Sequence, residues 1–327
     1  MNHDVIIIGG SFAGLSAAMQ LARARRRVLV IDAGRPRNRF AVASHGFLGQ
    51  DGQSPQAIMD LGARQLLAYP TARMIGGEAI SAWKIDGGFS VMLGSGEALT
   101  ARRLILAVGV ADDLPPLPGL TERWGVGVMH CPYCHGYEVA GRDLAVLAYD
   151  ARGVHQAMML PDWGPTTLLA HDGFSPDADQ AAGLAARGVT IETTPIARLT
   201  GPAPALAAVE LVDGRVLPVA GLFVAPNTRI ASPLAEQLGC AVEDGPMGPY
   251  LRVDGWKQTS VAGVFAAGDT AGPMHNATLA AAAGVMAGVG AHQSLMAAAI
   301  SPAVSGSPYP AAPPAAPARA PATPEHG

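Results

Sequence analysis

The sequence predicts an α/β protein of two three-layer domains, each built on a β-α-β unit. Three observations carry this expectation. Residues 4–31 and residues 144–169 each run strand, turn, helix, strand. A breaker cluster of Pro115, Pro116, Pro118 and Gly119 falls between them. The 327 residues are 49% hydrophobic, and at roughly 150 residues per domain they make room for two.

Taken in order, residues 4–8 form an apolar run that suits a buried parallel strand, residues 9–14 a tight glycine-bearing turn, residues 15–25 a helix and residues 28–31 a second strand. Residues 104–108 give another strand, and the breaker after it marks a linker into the second domain. The second unit places strands at 144–147 and 167–169 around a helix at 153–160. Gly245 to Gly248 mark the return. Residues 259–269 read as a short buried strand ending in Gly268-Asp269, ahead of a helix over 276–289. The boundaries expected from this are 1–113 with 247–300 for the first domain and 114–246 for the second. Past Ile300 the chain is Pro, Ala and Ser without periodicity. Such a composition buries too little apolar surface to offset its ordering entropy, so residues 301–327 are expected to be disordered.

Charge and cysteine usage exclude several classes. A formal net charge of -4 with no basic run gives no footprint for a polyanion, so nucleic acid is not an expected partner. The first residues show no basic leader ahead of an apolar core, which points to a cytoplasmic protein. The longest apolar stretch, 279–300, is interrupted by His292, Gln293 and Ser294 and is rich in Ala and Gly. It reads as a packed helix, and no membrane contact is expected. Three cysteines, Cys131, Cys134 and Cys240, are too few for a disulfide scaffold and suit chemistry in a reducing compartment.

Gly9-Gly10-Ser11-Phe12-Ala13-Gly14, followed by Asp32 at the end of the second strand, fits a dinucleotide site. There glycines let backbone approach a pyrophosphate, the helix N-terminus supplies N–H donors, and the acidic residue binds a ribose hydroxyl. Ser11 stands where the middle glycine normally sits. A turn of this kind also arises for packing alone, and that reading stays open.

The chemistry concentrates in His130-Cys131-Pro132-Tyr133-Cys134-His135-Gly136-Tyr137-Glu138. Two intervening residues let the sulfurs close a small ring, and a helix N-terminus or imidazolium lowers one thiol pKa from ~8.5 towards neutrality. Reversible disulfide formation is the leading reading. Three rivals accompany it: a c-type haem attachment, which calls for export; a zinc site, for which only Cys240 could add a distant thiolate; and plain buried thiols. No metal site is assigned.

The glycine turn, the strand ending in Ala107-Val108-Gly109, the Cys-x-x-Cys and the Ala267-Gly268-Asp269 segment together resemble thioredoxin reductase, over most of residues 1–300. The resemblance implies two Rossmann-like domains, an FAD domain made from both ends of the chain and a second one inserted into it, in a homodimer. It places Gly9, Ser11, Gly14, Asp32, Ala79, Gly109, Asp269, Asn276 and Ala277 against FAD. Phe12, Ala13, Ala33, Asn38, Arg39, His45, Ala107 and Gly268 fall in the same segments and are assigned with them. His275 stands where the family has an arginine. Cys134 would sit against the flavin and Cys131 would attack the substrate sulfur. The family carries an acidic residue after the second cysteine; His135 replaces it here and is the first candidate base, with Glu138 second.

The second unit departs from that family. A nicotinamide turn should read G-x-G-x-x-A/G, and the aligned positions are Ala148, Asp150 and Gly153. Asp150 would face a pyrophosphate, and like charges ~4 Å apart repel by roughly 4 kcal/mol at an effective dielectric near 20. Arg152 could offset part of that. The arginines that clamp the NADP 2′-phosphate are replaced by Ala170-His171-Asp172-Gly173. NADP(H) binding is therefore expected to be lost or weakened, with oxygen the simplest electron acceptor. Arg37-Asn38-Arg39-Phe40, Ser44-His45-Gly46-Phe47-Leu48-Gly49 and Cys-Pro-Tyr-Cys-His-Gly-Tyr-Glu are similar to the flavin dithiol oxidases that close disulfides in gliotoxin, holomycin and romidepsin. In that reading a small dithiol reduces the Cys131–Cys134 disulfide, Cys134 passes two electrons to FAD, and oxygen becomes hydrogen peroxide. A reductase running on NADPH or another donor, and a non-catalytic redox sensor, remain as alternatives.

Overall fold

The computed structural model describes residues 1–300; the 301–327 tail, with its expectation of disorder, lies outside the described residues. The chain begins β1 (His3–Ile8), α1 (Phe12–Arg23), β2 (Val28–Asp32), α2 (Pro55–Leu67), β3 (Ala72–Gly76), β4 (Ala79–Ile85), β5 (Gly88–Leu93), β6 (Ala98–Leu106) and β7 (Val110–Asp113). Alternation in the first strands dictates two buried faces. Val5, Ile7, Val28 and Val30 pack with Ala17, Ala18 and Leu21 of α1, while Ile6, Ile8, Leu29 and Ile31 point to the opposite layer. Burial on both faces is what a parallel sheet requires, and β3, β2, β1 and β6 pair in parallel in that order.

The inserted domain contains β8 (Val128–Met129), α3 (Pro132–His135), β9 (Leu144–Ala148), α4 (Ala151–Met159), β10 (Thr166–Ala170), α5 (Ala178–Ala186), β11 (Thr190–Glu192), β12 (Ile196–Thr200), β13 (Ala208–Leu211), β14 (Val216–Pro218) and β15 (Gly221–Val224). Its parallel sheet runs β11-β10-β9-β15-β8. One face, with Leu144, Val146 and Phe223, is covered by Val154 and Ala157 of α4 and Leu184 of α5. The other, with Ala145, Leu147 and Leu222, is covered by Leu199, Val209 and Leu211 of the three-stranded β12-β13-β14 sheet. Both domains are thus three-layered, as the sequence predicts.

The chain returns through β16 (Asn227–Ile230), α6 (Leu234–Gln237), β17 (Val242–Gly245), β18 (Gly248–Leu251), β19 (Val264–Ala266) and α7 (Ala277–Ile300). The two crossings lie side by side, β16 pairing antiparallel with β7. This corrects the expected return at residue 247. Leu234, Ala235, Cys240 and Leu251 already share the core of Ile6 and Ile8. Gly245 and Gly248 instead close the β17-β18 hairpin, and a Cβ on Gly248 would meet Thr228 O at 2.1 Å.

Other boundaries shift for local reasons. Ser11 is extended (φ -90°, ψ -161°) and is the N-cap of α1, so the helix starts inside the glycine motif and not at residue 15. The strand expected at 104–108 begins earlier, at Ala98, and ends at Leu106, leaving 107–109 as a wall of the cavity described below. α7 continues past residue 289 to Ile300, with Ala287, Ala291 and Leu295 buried in the core it shares with α1. By length and composition α7 could cross a membrane. Here it lies against α1 so closely that a Cβ on Gly284 would fall 2.1 Å from Ala13 O, and one on Gly288 2.6 Å from Ala17 O.

Candidate active site

A cavity of about 270 Å³ opens where the two domains meet. Ser11, Phe12 and Ala13 at the start of α1 form one wall, with Ala107 and Gly109 beside them. The loop after β2 contributes Asn38 and His45, the C-terminal segments contribute Gly268, Asp269, Asn276 and Ala277, and the inserted domain contributes Cys131, Cys134 and His135. Residues 266 apart in number, Ser11 and Ala277, are thus brought together.

Cys131 is the N-cap of the short α3, its Sγ accepting from Cys134 N at 3.2 Å. The two cysteines form a disulfide with Cα atoms 5.2 Å apart. Among the described residues no cluster of three His, Cys, Asp or Glu side chains is arranged to hold a metal. Cys240 is a buried free thiol, with Sγ 3.6 Å from Thr259 Oγ1. Burial pushes that thiol above its ordinary range, as for an inert core cysteine.

Three histidines flank the disulfide in different settings. Burial holds His135 below the ordinary imidazole value; Glu138 opposes that and His45 adds to it. Glu138 does not line the cavity; its Oε1 lies 3.3 Å from His45 Nε2, so it meets the site through His45. His130 is lowered to about 4, first by burial and then by the Arg37 cation. Its Nδ1 lies 3.3 Å from Val224 O, and Gln156 Nε2 donates to its carbonyl at 2.5 Å. A neutral His130 donating from Nδ1 leaves Nε2 as an acceptor.

Sequence reasoning passed over His130 as a site residue, and it passed over Arg37. Arg37 donates through Nε and Nη2 to Asp112, at 3.0 and 2.5 Å, and through Nη1 to Asp269 at 3.3 Å. The same Nη1 lies 2.8 Å from His275 Nδ1. Burial alone would lower its pKa, and the two carboxylates reverse that. A guanidinium therefore reaches His275, the position where the resembling family carries an arginine. The only sequence signal for this was that substitution.

The remaining predicted cofactor residues act from behind the cavity. Gly9 (φ +104°) and Gly14 bring backbones together: a Cβ on Gly9 would meet Ala107 O at 2.2 Å, and one on Gly14 would meet Gly9 O at 1.8 Å. Asp32 accepts from Gly10 N through Oδ1 at 3.0 Å, leaving Oδ2 for another donor. Ala33 and Arg39 are exposed, with the Arg39 guanidinium 4.2 Å over the Phe40 ring. The Ala79 side chain is core, packed with Ala82, Val91 and Leu93, so it offers a cofactor only its backbone. What remains is a cradle for an anion. The first turn of α1 has no acidic residue, and the Ser11 hydroxyl makes no cap hydrogen bond, so helix N–H groups and a hydroxyl face the cavity. These residues fit a pyrophosphate-bearing flavin.

The corresponding place in the inserted domain is filled. Asp150, the N-cap of α4, accepts from Arg152 N at 2.8 Å and Arg152 Nε at 2.9 Å. Burial pushes this carboxyl up, but the Arg152 hydrogen bonds outweigh it and keep the group ionised. Arg152 is engaged in turn with Pro246 O at 3.3 Å, so it neutralises Asp150 and not a ligand. Gly153 keeps only a packing role, a Cβ there falling 2.6 Å from Ala148 Cβ. Beyond β10 the turn at Asp172 (φ +54°) and Gly173 brings no arginine. These residues do not fit a nicotinamide dinucleotide.

A two-domain fold of this topology, with a disulfide at the junction beside an anion cradle, defines an oxidoreductase acting on sulfur groups. The chain belongs to the pyridine nucleotide-disulphide oxidoreductase family, which it matches over residues 3–286. Membership implies a bound flavin. Thioredoxin reductase sirT of Leptosphaeria maculans is 33% identical over 307 residues, covering 88% of this chain and 92% of the relative. An oxidoreductase from Agrobacterium tumefaciens superposes with a TM-score of 0.86 at 51% identity, covering 90% of this chain and 99% of that one. HlmI superposes with a TM-score of 0.85 at 36% identity, covering 91% and 94%.

Proposed function

We propose that this chain is an FAD-dependent dithiol oxidase that closes a disulfide in a small-molecule dithiol and passes the electrons to oxygen. One observation carries the reading: the anion cradle of the first domain is open, whereas its counterpart in the second is occupied by Asp150 and Arg152. The site then has a place for flavin and none for NADP(H), so the substrate itself is the source of electrons.

Ser11 and the N–H groups of α1 would hold the FAD pyrophosphate, and Asp32 Oδ2 a ribose hydroxyl. Bound FAD supplies a two-electron acceptor for the cysteine pair. One substrate thiol, deprotonated by His135, attacks Cys131 Sγ; the Cys131–Cys134 bond breaks and Cys134 leaves as thiolate. The second substrate thiol then attacks the first substrate sulfur and releases Cys131. The substrate has lost two electrons and two protons, and oxygen receives both as hydrogen peroxide. His130, neutral at working pH, contributes an acceptor at Nε2 without competing for the proton. The reading also takes the enzyme to be a cytoplasmic homodimer. Twofold homo-oligomers are the commonest assembly, and α7 leaves Leu279, Met286 and Met296 exposed.

The test is oxygen uptake by FAD-loaded protein supplied with dithiothreitol. Many turnovers with peroxide formed, abolished by Cys134→Ser, are expected; a single turnover would mark a redox sensor. The names of the fungal relatives favour a second reading, an NADPH-driven disulfide reductase. Negligible oxygen uptake together with rapid bleaching of the flavin by NADPH would select it.

A further inference from the structure

Gln156 is 4% exposed and sits on the buried face of α4 beside Val154 and Ala157. Its Nε2 donates to the His130 carbonyl at 2.5 Å, while its Oε1 is buried without a hydrogen-bond partner. Turning the amide over brings no relief, since two carbonyl oxygens would then face each other. A Leu or Met of similar size would cover the same surface without stranding an acceptor. Burial alone therefore does not account for a glutamine here, whereas a donor for the His130 carbonyl does.

That carbonyl stands at a junction. β8 pairs with β15 through Val128 and Met129, so the chain leaves the ladder at His130 and enters Cys131, the N-cap of α3. Two contacts take over from the ladder: Gln156 holds the His130 carbonyl, and Val224 O faces His130 Nδ1 at 3.3 Å. The first fixes the peptide plane that His130 shares with Cys131. Gln156 lies outside the cavity lining, whereas both residues it steadies belong to it.

We propose that Gln156 is a positioning residue that holds Cys131 in register with Cys134, so that the pair recloses readily after each exchange. The inference rests on the thiol–disulfide exchange of the proposed function and not on its direction. When dithiothreitol reduces the pair, it gives two electrons and two protons and closes its own disulfide. In reverse, Cys131 must find Cys134 again, and a tethered peptide leaves it less freedom to lose on closure. Without the tether the reduced pair gains freedom, and the equilibrium shifts towards thiols.

The test is anaerobic equilibration of FAD-loaded protein in dithiothreitol buffers of graded reduced-to-oxidised ratio, with thiols then alkylated and those of Cys131 and Cys134 counted by mass spectrometry. Gln156→Met, similar in length but without a donor, and Gln156→Asn, whose amide falls short of the carbonyl, should each favour the reduced pair about tenfold, a rise of about 30 mV in potential. Val154→Ala, which opens a hole on the same helix and keeps the amide, should lower the melting temperature and leave the potential as in the wild type. A wild-type potential in either Gln156 variant, or an equal shift in Val154→Ala, would overturn the assignment. A wild-type pair that no buffer ratio reduces would overturn the exchange reading itself, and the assignment would fall with it.

Discussion

The two β-α-β units of this chain share a plan and part company at one helix N-terminus. At α1 the N-cap is Ser11, whose hydroxyl is uncommitted, and no carboxylate stands in the first turn. At α4 the N-cap is Asp150, whose carboxylate takes the Arg152 N–H and side chain. Both units nevertheless keep a glycine for close packing, Gly14 on Gly9 and Gly153 on Ala148. The packing glycine preserves the fold, whereas the residues at the N-cap decide whether an anion is bound. On the proposed function, the second domain keeps its shape without its dinucleotide.

The sharpest way to break this contrast is to fill the open cradle. Ser11→Asp would set a carboxylate at the α1 N-cap as Asp150 stands at α4, and flavin content at purification, read from its visible absorbance, should fall at least about tenfold, since like charges ~4 Å apart repel by roughly 4 kcal/mol at an effective dielectric near 20. Gly153→Ala in the second unit, a packing change, should lower the melting temperature and leave flavin content unchanged. Arg37→Met comes next. It leaves Asp112 and Asp269 without their cation, and breaking a buried pair costs about 3–5 kcal/mol, visible as a shift in denaturant midpoint together with weaker flavin retention. The smaller effect lies in reopening the second cradle. Asp150→Gly with Arg152→Ser removes a neutralised pair, so NADPH affinity by fluorescence titration should improve by about tenfold, or ~1.4 kcal/mol, with no gain if the cradle is already competent.

A further predicted effect is pH-dependent. His130 is held at about 4 by burial and Arg37, against about 6.5 in an unfolded chain. A lowered histidine keeps the fold stable above its unfolded pKa, and that stability is lost as pH falls from about 6.5 towards 4. Melting temperatures of the wild type should decline through this window, and those of His130→Gln should decline less.

Much of the fold was legible because alternation and glycine spacing are local signals: residues 4–8 and 28–31 announce a buried sheet, and Ala148, Asp150 and Gly153 announce the failed turn. The return of the chain was misread because Gly245 and Gly248 look the same in a hairpin as at a domain boundary; only the packing of Leu234 and Leu251 distinguishes them. The cysteine pair and His135 were legible because they are adjacent in sequence. Arg37, Asp112, Asp269 and His275 meet across as many as 238 residues, and no linear pattern records that. The burial of the Ala79 side chain was not legible, because a small residue at a strand start suits a cofactor wall and a core equally.

In the proposed function electrons enter from a dithiol and not from a nicotinamide. The direct measurement is anaerobic mixing of FAD-loaded protein with either dithiothreitol or NADPH while the flavin absorbance is followed. Rapid bleaching by dithiothreitol, lost in Cys134→Ser, with NADPH at the same concentration leaving the flavin oxidised, is the predicted result. Rapid bleaching by NADPH would contradict it and would mean that Asp150 and Arg152 yield their place to a dinucleotide.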